Sequence, residues 1–169
     1  MCRAPGEPDY LAGVPTFSEL DRELMTIALQ EARVAQAHDD VPIGAVIAIG
    51  DRIVARRHNE RELTNDPTAH AEVLALRDAA QTLGGWRFDG ATMVVTIEPC
   101  VMCAGAAQQA RLSRVVFGAF DLKAGALGSL YNVGVDARLN HEFAVDGGLM
   151  ADECGALVSQ FFAGLRRDT

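Results

Sequence analysis

No run of apolar residues in this 169-residue chain reaches the ~18 needed to cross a bilayer as a helix, so no membrane partner is expected. The stretch from Met1 to Phe17 lacks a basic start followed by an apolar block. It gives no sign of a secretory signal, and a cytoplasmic location is the default expectation. Cations are scarce: 15 Lys and Arg stand against 23 Asp and Glu, for a net charge of −8, and Lys123 is the sole lysine. Nonspecific affinity for nucleic acid comes mainly from cations on phosphates. The balance therefore excludes a general nucleic-acid coat, and no DNA partner is expected. A substrate met by a local basic patch remains open. Arg52, Arg56, Arg57 and Arg61 form one such patch and Arg166 with Arg167 another, although any one of them reads first as a solvated surface arginine. Cysteine is sparse too, at Cys2, Cys100, Cys103 and Cys154. In a chain of this size and expected location, metal binding or burial is a better reading than disulfides.

What is present suits one compact domain: 49% of residues are hydrophobic and 22% charged, with no internal repeat. Pro5, Gly6, Pro8, Gly13 and Pro15 mark residues 1–17 as a poorly ordered leader, which leaves a single domain over 18–169. From Ser18, a plausible N-cap, Leu20, Leu24, Ile27, Ala28, Val34 and Ala35 recur at helical spacing to about His38. The apolar run Val41 to Ile49 reads as a strand, with Arg52 to Arg57 as its hairpin partner. Asn59 to Asp66 is loop-like. Pro67 then predicts a helix start capped by Asp66, with Val73, Leu76, Ala80 and Leu83 as the buried stripe.

Further along, Ala91 to Ile97 reads as a buried strand, a helix runs from after Pro99 to about Arg111, and Arg114 to Ala119 is another strand. Residues 120–140 are Gly-rich and read as a partly helical, functional loop. A last helix runs from Ala151 to Arg167, with Leu157, Phe161, Phe162 and Leu165 inward. Helices interleaved with strands imply an α/β fold: a central sheet covered by helices.

Two motifs carry chemistry, each at a predicted helix start: His70-Ala-Glu72 and Pro99-Cys100-Val-Met-Cys103. Cysteines three apart on a helix share a face and can grip one ion, and the helix N-terminus favours the thiolate that binds metal. Alone, the pair could equally be a redox dithiol or two packed thiols. His70 adds an imidazole, making three ligands of the kind zinc prefers with one position left open. Zinc lowers the pKa of its water to about 7, which supplies a nucleophile at neutral pH. Glu72 is two residues from His70, and in mid-helix such positions point roughly 200° apart. The motif therefore works at the first turn, where the carboxylate can reach round to the metal and move protons. A closed structural site would need a fourth ligand from Cys2, Cys154, His38, His58 or His141, none of them near either motif in sequence.

The paired pattern H-x-E and P-C-x-x-C is the signature of zinc-dependent nucleobase deaminases. The resemblance extends to Asn65-Asp-Pro-Thr-Ala-His-Ala-Glu-Val73 and Thr96-Ile-Glu-Pro-Cys-Val-Met-Cys-Ala-Gly-Ala106. It also covers Asp40 to Val46, Val115 to Gly118, Gly125 to Ser129, Asn140-His141 and Ala151 to Cys154. Together these resemble the bacterial tRNA-specific adenosine deaminases, from about Glu19 to Arg167.

The resemblance implies a three-layer α/β/α cytidine-deaminase-like fold with a mixed sheet, and a homodimer holding one zinc per subunit. It implies hydrolysis of adenosine to inosine at the wobble position of an arginine tRNA, with the anticodon stem-loop as partner. On this resemblance His70, Cys100 and Cys103 are the metal ligands and Glu72 is the catalytic proton shuttle. Asn59 meets the flipped nucleotide, Asp121 meets the RNA beside the target, and an amide near Ala71 or the Glu98 carbonyl holds exocyclic groups. Phe120 stands where the family often carries a basic or polar residue. Two other classes stay open: a deaminase of a free base or nucleoside such as guanine, cytosine or cytidine, and a non-catalytic zinc module.

Overall fold

A computed structural model describes residues 16–166 of the chain. Helix α1 (Glu19–Ala35) opens at Ser18 as expected. The Ser18 hydroxyl accepts from Asp21 N at 3.0 Å, and the Asp21 carboxylate accepts from Ser18 N at 2.9 Å. This reciprocal cap satisfies amides that a helix start leaves open. One turn of 3-10 helix, Gln36–His38, closes the element. Then follow β1 (Gly44–Ile49), β2 (Arg52–His58), α2 (Arg61–Thr64), α3 (Ala71–Leu83), β3 (Ala91–Ile97), α4 (Val101–Gln109), β4 (Arg114–Ala119), β5 (Ala144–Gly147) and α5 (Ala151–Leu165).

The five strands form one mixed sheet in the order β2-β1-β3-β4-β5. β1 runs antiparallel to both β2 and β3, whereas β3, β4 and β5 are mutually parallel. Alternate residues of the central strands point to opposite faces. Val46, Ala48, Val94 and Val116 pack with Met25, Ala28 and Cys154, which places α1 and α5 on one face. Ala45, Ile47, Met93, Val95 and Phe117 pack with Ala75, Leu76, Ala104 and Ala107, which places α3 and α4 on the other. Burial on both faces explains why these strands read as unbroken apolar runs. The three-layer α/β/α arrangement follows. Gly44 lets α1 approach β1 closely, since a Cβ there would stand 2.0 Å from the Ala28 carbonyl oxygen.

Several local expectations are corrected. Helix α3 begins at Ala71, not at Pro67. Asp66 accepts instead from the Thr68 amide at 2.8 Å and the Thr68 hydroxyl at 2.7 Å, closing a turn that competes with helix. The buried stripe of α3 is Ala71, Ala75, Leu76 and Ala79, while Val73, Ala80 and Leu83 are only partly buried. The expected loop at 59–66 contains α2, because the buried Asp40 carboxylate accepts from Glu62 N and Leu63 N. Of the partly helical 120–140 reading, one 3-10 turn at Val133–Val135 is present, and the edge strand β5 beyond it was not anticipated. On α1 Val34 is exposed, and on α5 Phe162 and Leu165 are exposed rather than inward. Of the leader, residues 1–15 lie outside the described residues, while Phe17 packs against the α1–sheet core.

Candidate functional site

Both chemical motifs sit where a loop turns into a helix. His70 is the N-cap of α3, with extended backbone (φ −75, ψ 147), and Cys100 is the N-cap of α4 (φ −70, ψ 173). An extended His70 followed by a helical Glu72 escapes the opposed orientation that mid-helix spacing would impose. Pro99 and Cys100 leave the end of β3, and Cys103 lies on the first turn of α4, fully buried. The β4 partner strand ends alongside, with Glu98 N donating to Ala119 O at 2.8 Å.

The ligand atoms of His70, Cys100 and Cys103 all lie within 4.8 Å of one another. His70 Nδ1 stands 3.8 Å from Cys100 Sγ and 3.5 Å from Cys103 Sγ. Around a tetrahedral zinc, with bonds near 2.3 Å to sulfur and 2.0–2.1 Å to nitrogen, nitrogen and sulfur are about 3.6 Å apart. The donor set and its spacing therefore fit the ion. The Cys103 thiol, donating to Cys100, holds that sulfur down to about 3, and His70 beside it acts the same way against the opposing effect of burial. Cys103 is correspondingly pushed up as the donor. A nearby thiolate that accepts from His70 raises the imidazole above its ordinary value.

Glu72 is 2% exposed, and its Oε2 is buried with no hydrogen-bond partner. Burial pushes this carboxyl above the usual carboxylate range. The suggested fourth ligands go elsewhere. His38 pairs with Asp40, His58 with Glu31, His141 with the Leu112 carbonyl, and Cys154 contacts Met25 on the opposite face of the sheet. Cys2 lies outside the described residues. Among the described residues no other three such groups converge in this way.

Asn59 lies beside the start of α3: it is 2% exposed, and its Oδ1 accepts from Ala71 N at 2.9 Å. This bond occupies the first amide of α3, so the Ala71 N–H expected to face the substrate is already engaged. Asp121 is half-buried where the chain leaves β4, and its Oδ1 accepts from Lys123 N and Ala124 N. Of the arginine patches, Arg56 is paired with Glu31 and Arg57 with Glu60 and Asp78, while Arg52, Arg61 and Arg166 are exposed. Arg167 lies outside the described residues.

Glu98 contributes more than the carbonyl expected from the sequence. The Glu98 side chain is 1% exposed, and its carboxylate accepts from Asp121 N at 3.1 Å, Leu127 N at 3.0 Å, Ser129 N at 2.9 Å and the Ser129 hydroxyl. Burial opposes its charge, yet these bonds hold the carboxyl below its ordinary value. Glu98 thereby folds the loop after β4 against the metal-ligand segment, and Cys100 bridges to Gly125. Gly125 leaves room for it, because a Cβ there would lie 2.3 Å from Glu98 Cδ. The available signal was an acid ending an otherwise apolar strand, directly before the cysteine motif.

Residues 18–119 match the cytidine and deoxycytidylate deaminase zinc-binding region. The chain is 47% identical over 147 residues to a tRNA-specific adenosine deaminase of Bacillus subtilis, covering 87% of this chain and 91% of that protein. It is 41% identical to the tRNA-specific adenosine deaminase of Haemophilus influenzae, covering 89% and 88%. A solved structure of an A-to-I editing tRNA:A34 deaminase superposes with a TM-score of 0.77 at 41% identity, covering 80% of this chain and 98% of that one. A guanine deaminase from Bacillus subtilis also matches, with a TM-score of 0.56 and 37% identity over 58% of this chain and 63% of that one.

Proposed function

We propose, for a chain that belongs to the cytidine and deoxycytidylate deaminase family, hydrolytic deamination of adenosine to inosine at the wobble position of an arginine tRNA anticodon. The observation that carries the chemistry is a buried carboxylate with a free oxygen, Glu72, beside three converging metal ligands. Support for the RNA substrate comes from the relatives at 41–47% identity, each named a tRNA-specific adenosine deaminase.

His70, Cys100 and Cys103 hold the zinc cofactor in this reading, which supplies an activated water as nucleophile. Glu72 would take a proton from the water and deliver it to N1 of the adenine as the oxygen bonds to C6, and would then carry the proton of that new hydroxyl to the exocyclic amine, so that the C6–N bond breaks and ammonia leaves. Its burial suits the task, since a carboxyl raised toward neutrality exchanges protons readily in both directions. Asn59 faces the flipped nucleoside while its Oδ1 fixes the start of α3. Ala71 contributes pocket wall beside it, and Asp121 meets the RNA next to the target. Residues 18–169 form the deaminase unit, with Phe17 packed against its core, and the protein acts in the cytoplasm.

We further propose a homodimer. A largely apolar groove of ≈ 380 Å³ between α3 and α4, lined by Leu76, Trp86, Phe88 and Ala106, suits a second copy. Trp86 is 61% exposed beside it. Trp86→Arg should shift sedimentation to the monomer mass, and a wild-type protein that is monomeric at micromolar concentration contradicts the assignment.

The deciding assay offers zinc-loaded protein an arginine tRNA anticodon stem-loop with adenine at the wobble position, alongside free adenosine, guanine and cytidine. Inosine in the stem-loop alone supports the reading. Turnover of a free base alone keeps the chemistry and overturns the substrate. Silence on all four points to a non-catalytic zinc module.

A further inference from the structure

We propose that Phe120 is a stacking platform for the RNA base next to the target, and a specificity-determining residue of this chain. The inference rests on the RNA reading above and names a contact within it. Phe120 follows the last residue of β4 and precedes Asp121, at the same C-terminal end of the parallel strands from which Glu98, Pro99 and Cys100 emerge. Its backbone is fixed on both sides: Ala119 O accepts from Glu98 N, and Asp121 N donates to Glu98 Oε2. The ring stands 5.0 Å from the buried Phe117 at an interplanar angle of 87°, a favourable edge-to-face contact. Even so, Phe120 remains 55% exposed. It is thus a preorganised aromatic surface at the rim of the site, with little ordering cost left to meet on binding.

Three considerations select a nucleobase as its occupant. Flipping the target out of its stack leaves the neighbouring base without a partner on one face. Single-stranded RNA loops are recognised largely by stacking on aromatic side chains. Cations are also in short supply: the chain carries a net charge of −8 and a single lysine, and Arg56, Arg57, Arg77, Arg87, Arg114 and Arg138 are paired with acids, which leaves Arg52, Arg61 and Arg166 among the exposed ones. With so acidic a chain, contacts that do not depend on phosphate neutralisation carry more of the affinity, and stacking is one of them. Leu122, Leu130 and Tyr131, at 78%, 51% and 63% exposed, continue the apolar character of the same loop.

The test compares wild type, Phe120→Ala, Phe120→Leu and Phe120→Trp, each zinc-loaded, on the stem-loop substrate. Thermal midpoint and zinc content establish that the variants fold. Stacking on one base contributes about 1–3 kcal/mol. The expected result is a KM raised about tenfold in Phe120→Ala and Phe120→Leu at nearly unchanged kcat. Phe120→Trp should keep the wild-type KM, and the salt dependence should have the same slope in all four. A KM within twofold of wild type in Phe120→Ala overturns the platform while leaving the RNA reading intact. Equal KM values for Leu and Trp also overturn it, since the site then needs only apolar bulk. A wild type inactive on the stem-loop overturns both the platform and the RNA reading.

Discussion

Glu72 and Glu98 are the same residue type, both almost wholly buried, and both stand next to the segments that bear the metal ligands, yet their surroundings are opposite. Glu98 has four donors on its carboxylate, three backbone amides and the Ser129 hydroxyl. Glu72 has a buried oxygen with none. The first carboxyl is held below its ordinary value by those bonds, and the second is pushed above its own by burial. A buried charge is tolerated when hydrogen bonds compensate it, and then it builds structure. One left uncompensated costs stability and persists only where chemistry uses it. The fold places one carboxylate of each kind beside the segments that bear the metal ligands.

The largest effect comes from the ligand shell that gives Glu72 its purpose. Cys103→Ser, at a fully buried sulfur, should abolish both zinc content, read by atomic emission, and measurable turnover. Full retention of zinc would remove Cys103 from the ligand set. Glu98→Gln comes next. It turns an acceptor of several amides into a group half donor, and hydrogen bonds to a charged group are worth about 1.5–3 kcal/mol each. A thermal midpoint lower by at least 2 kcal/mol equivalent is expected, with zinc retained and KM for the stem-loop raised as the 121–129 loop loosens. An unchanged KM would separate that loop from substrate binding.

The smallest effect is a pH dependence. The carboxyls of Glu98, Asp40 and Asp21 all lie below their ordinary values of 4.5, 3.8 and 3.8 in the folded chain. In each, hydrogen bonds outweigh burial: from Ser129 to Glu98, from the Glu62 amide to Asp40, and from Arg114 to Asp21. The folded state binds fewer protons than the unfolded one, so the stability they contribute is complete above about pH 5 and is lost as pH falls through the folded values. These three groups should cost the thermal midpoint nothing from pH 7 to 5 and should lower it below pH 4. Glu98→Gln should shallow that drop, and an identical acid limb in the variant would contradict the assignment.

Much of this was legible in the sequence, and unevenly so. β3 and β4 have the bounds the sequence predicts, because short, largely apolar runs with Val at their centres, flanked by Gly90 and Pro99 in one case and Ser113 in the other, leave little choice. Both chemical motifs were placed at helix starts, and the geometry of His70 as an extended N-cap is what the two-residue spacing to Glu72 required. The start of α3 was misplaced because Asp66-Pro67 is equally a helix cap and a turn, and the Thr68 hydrogen bonds decide for the turn. β5, Ala-Val-Asp-Gly, is a four-residue edge strand with no alternation to announce it. The fixing of Asn59 on the Ala71 amide and the clustering of loop amides on Glu98 are long-range contacts, across 12 and up to 31 residues, and no local pattern encodes them.

The most direct test is Glu72→Gln, with zinc stoichiometry and single-turnover deamination of the stem-loop measured on one preparation. A proton shuttle contributes about 10²–10⁴ in rate. Wild-type zinc content with a rate at least a hundredfold lower is the predicted result. Wild-type zinc with a rate within tenfold would show that the Glu72 carboxylate does not move the proton, and would contradict the central claim.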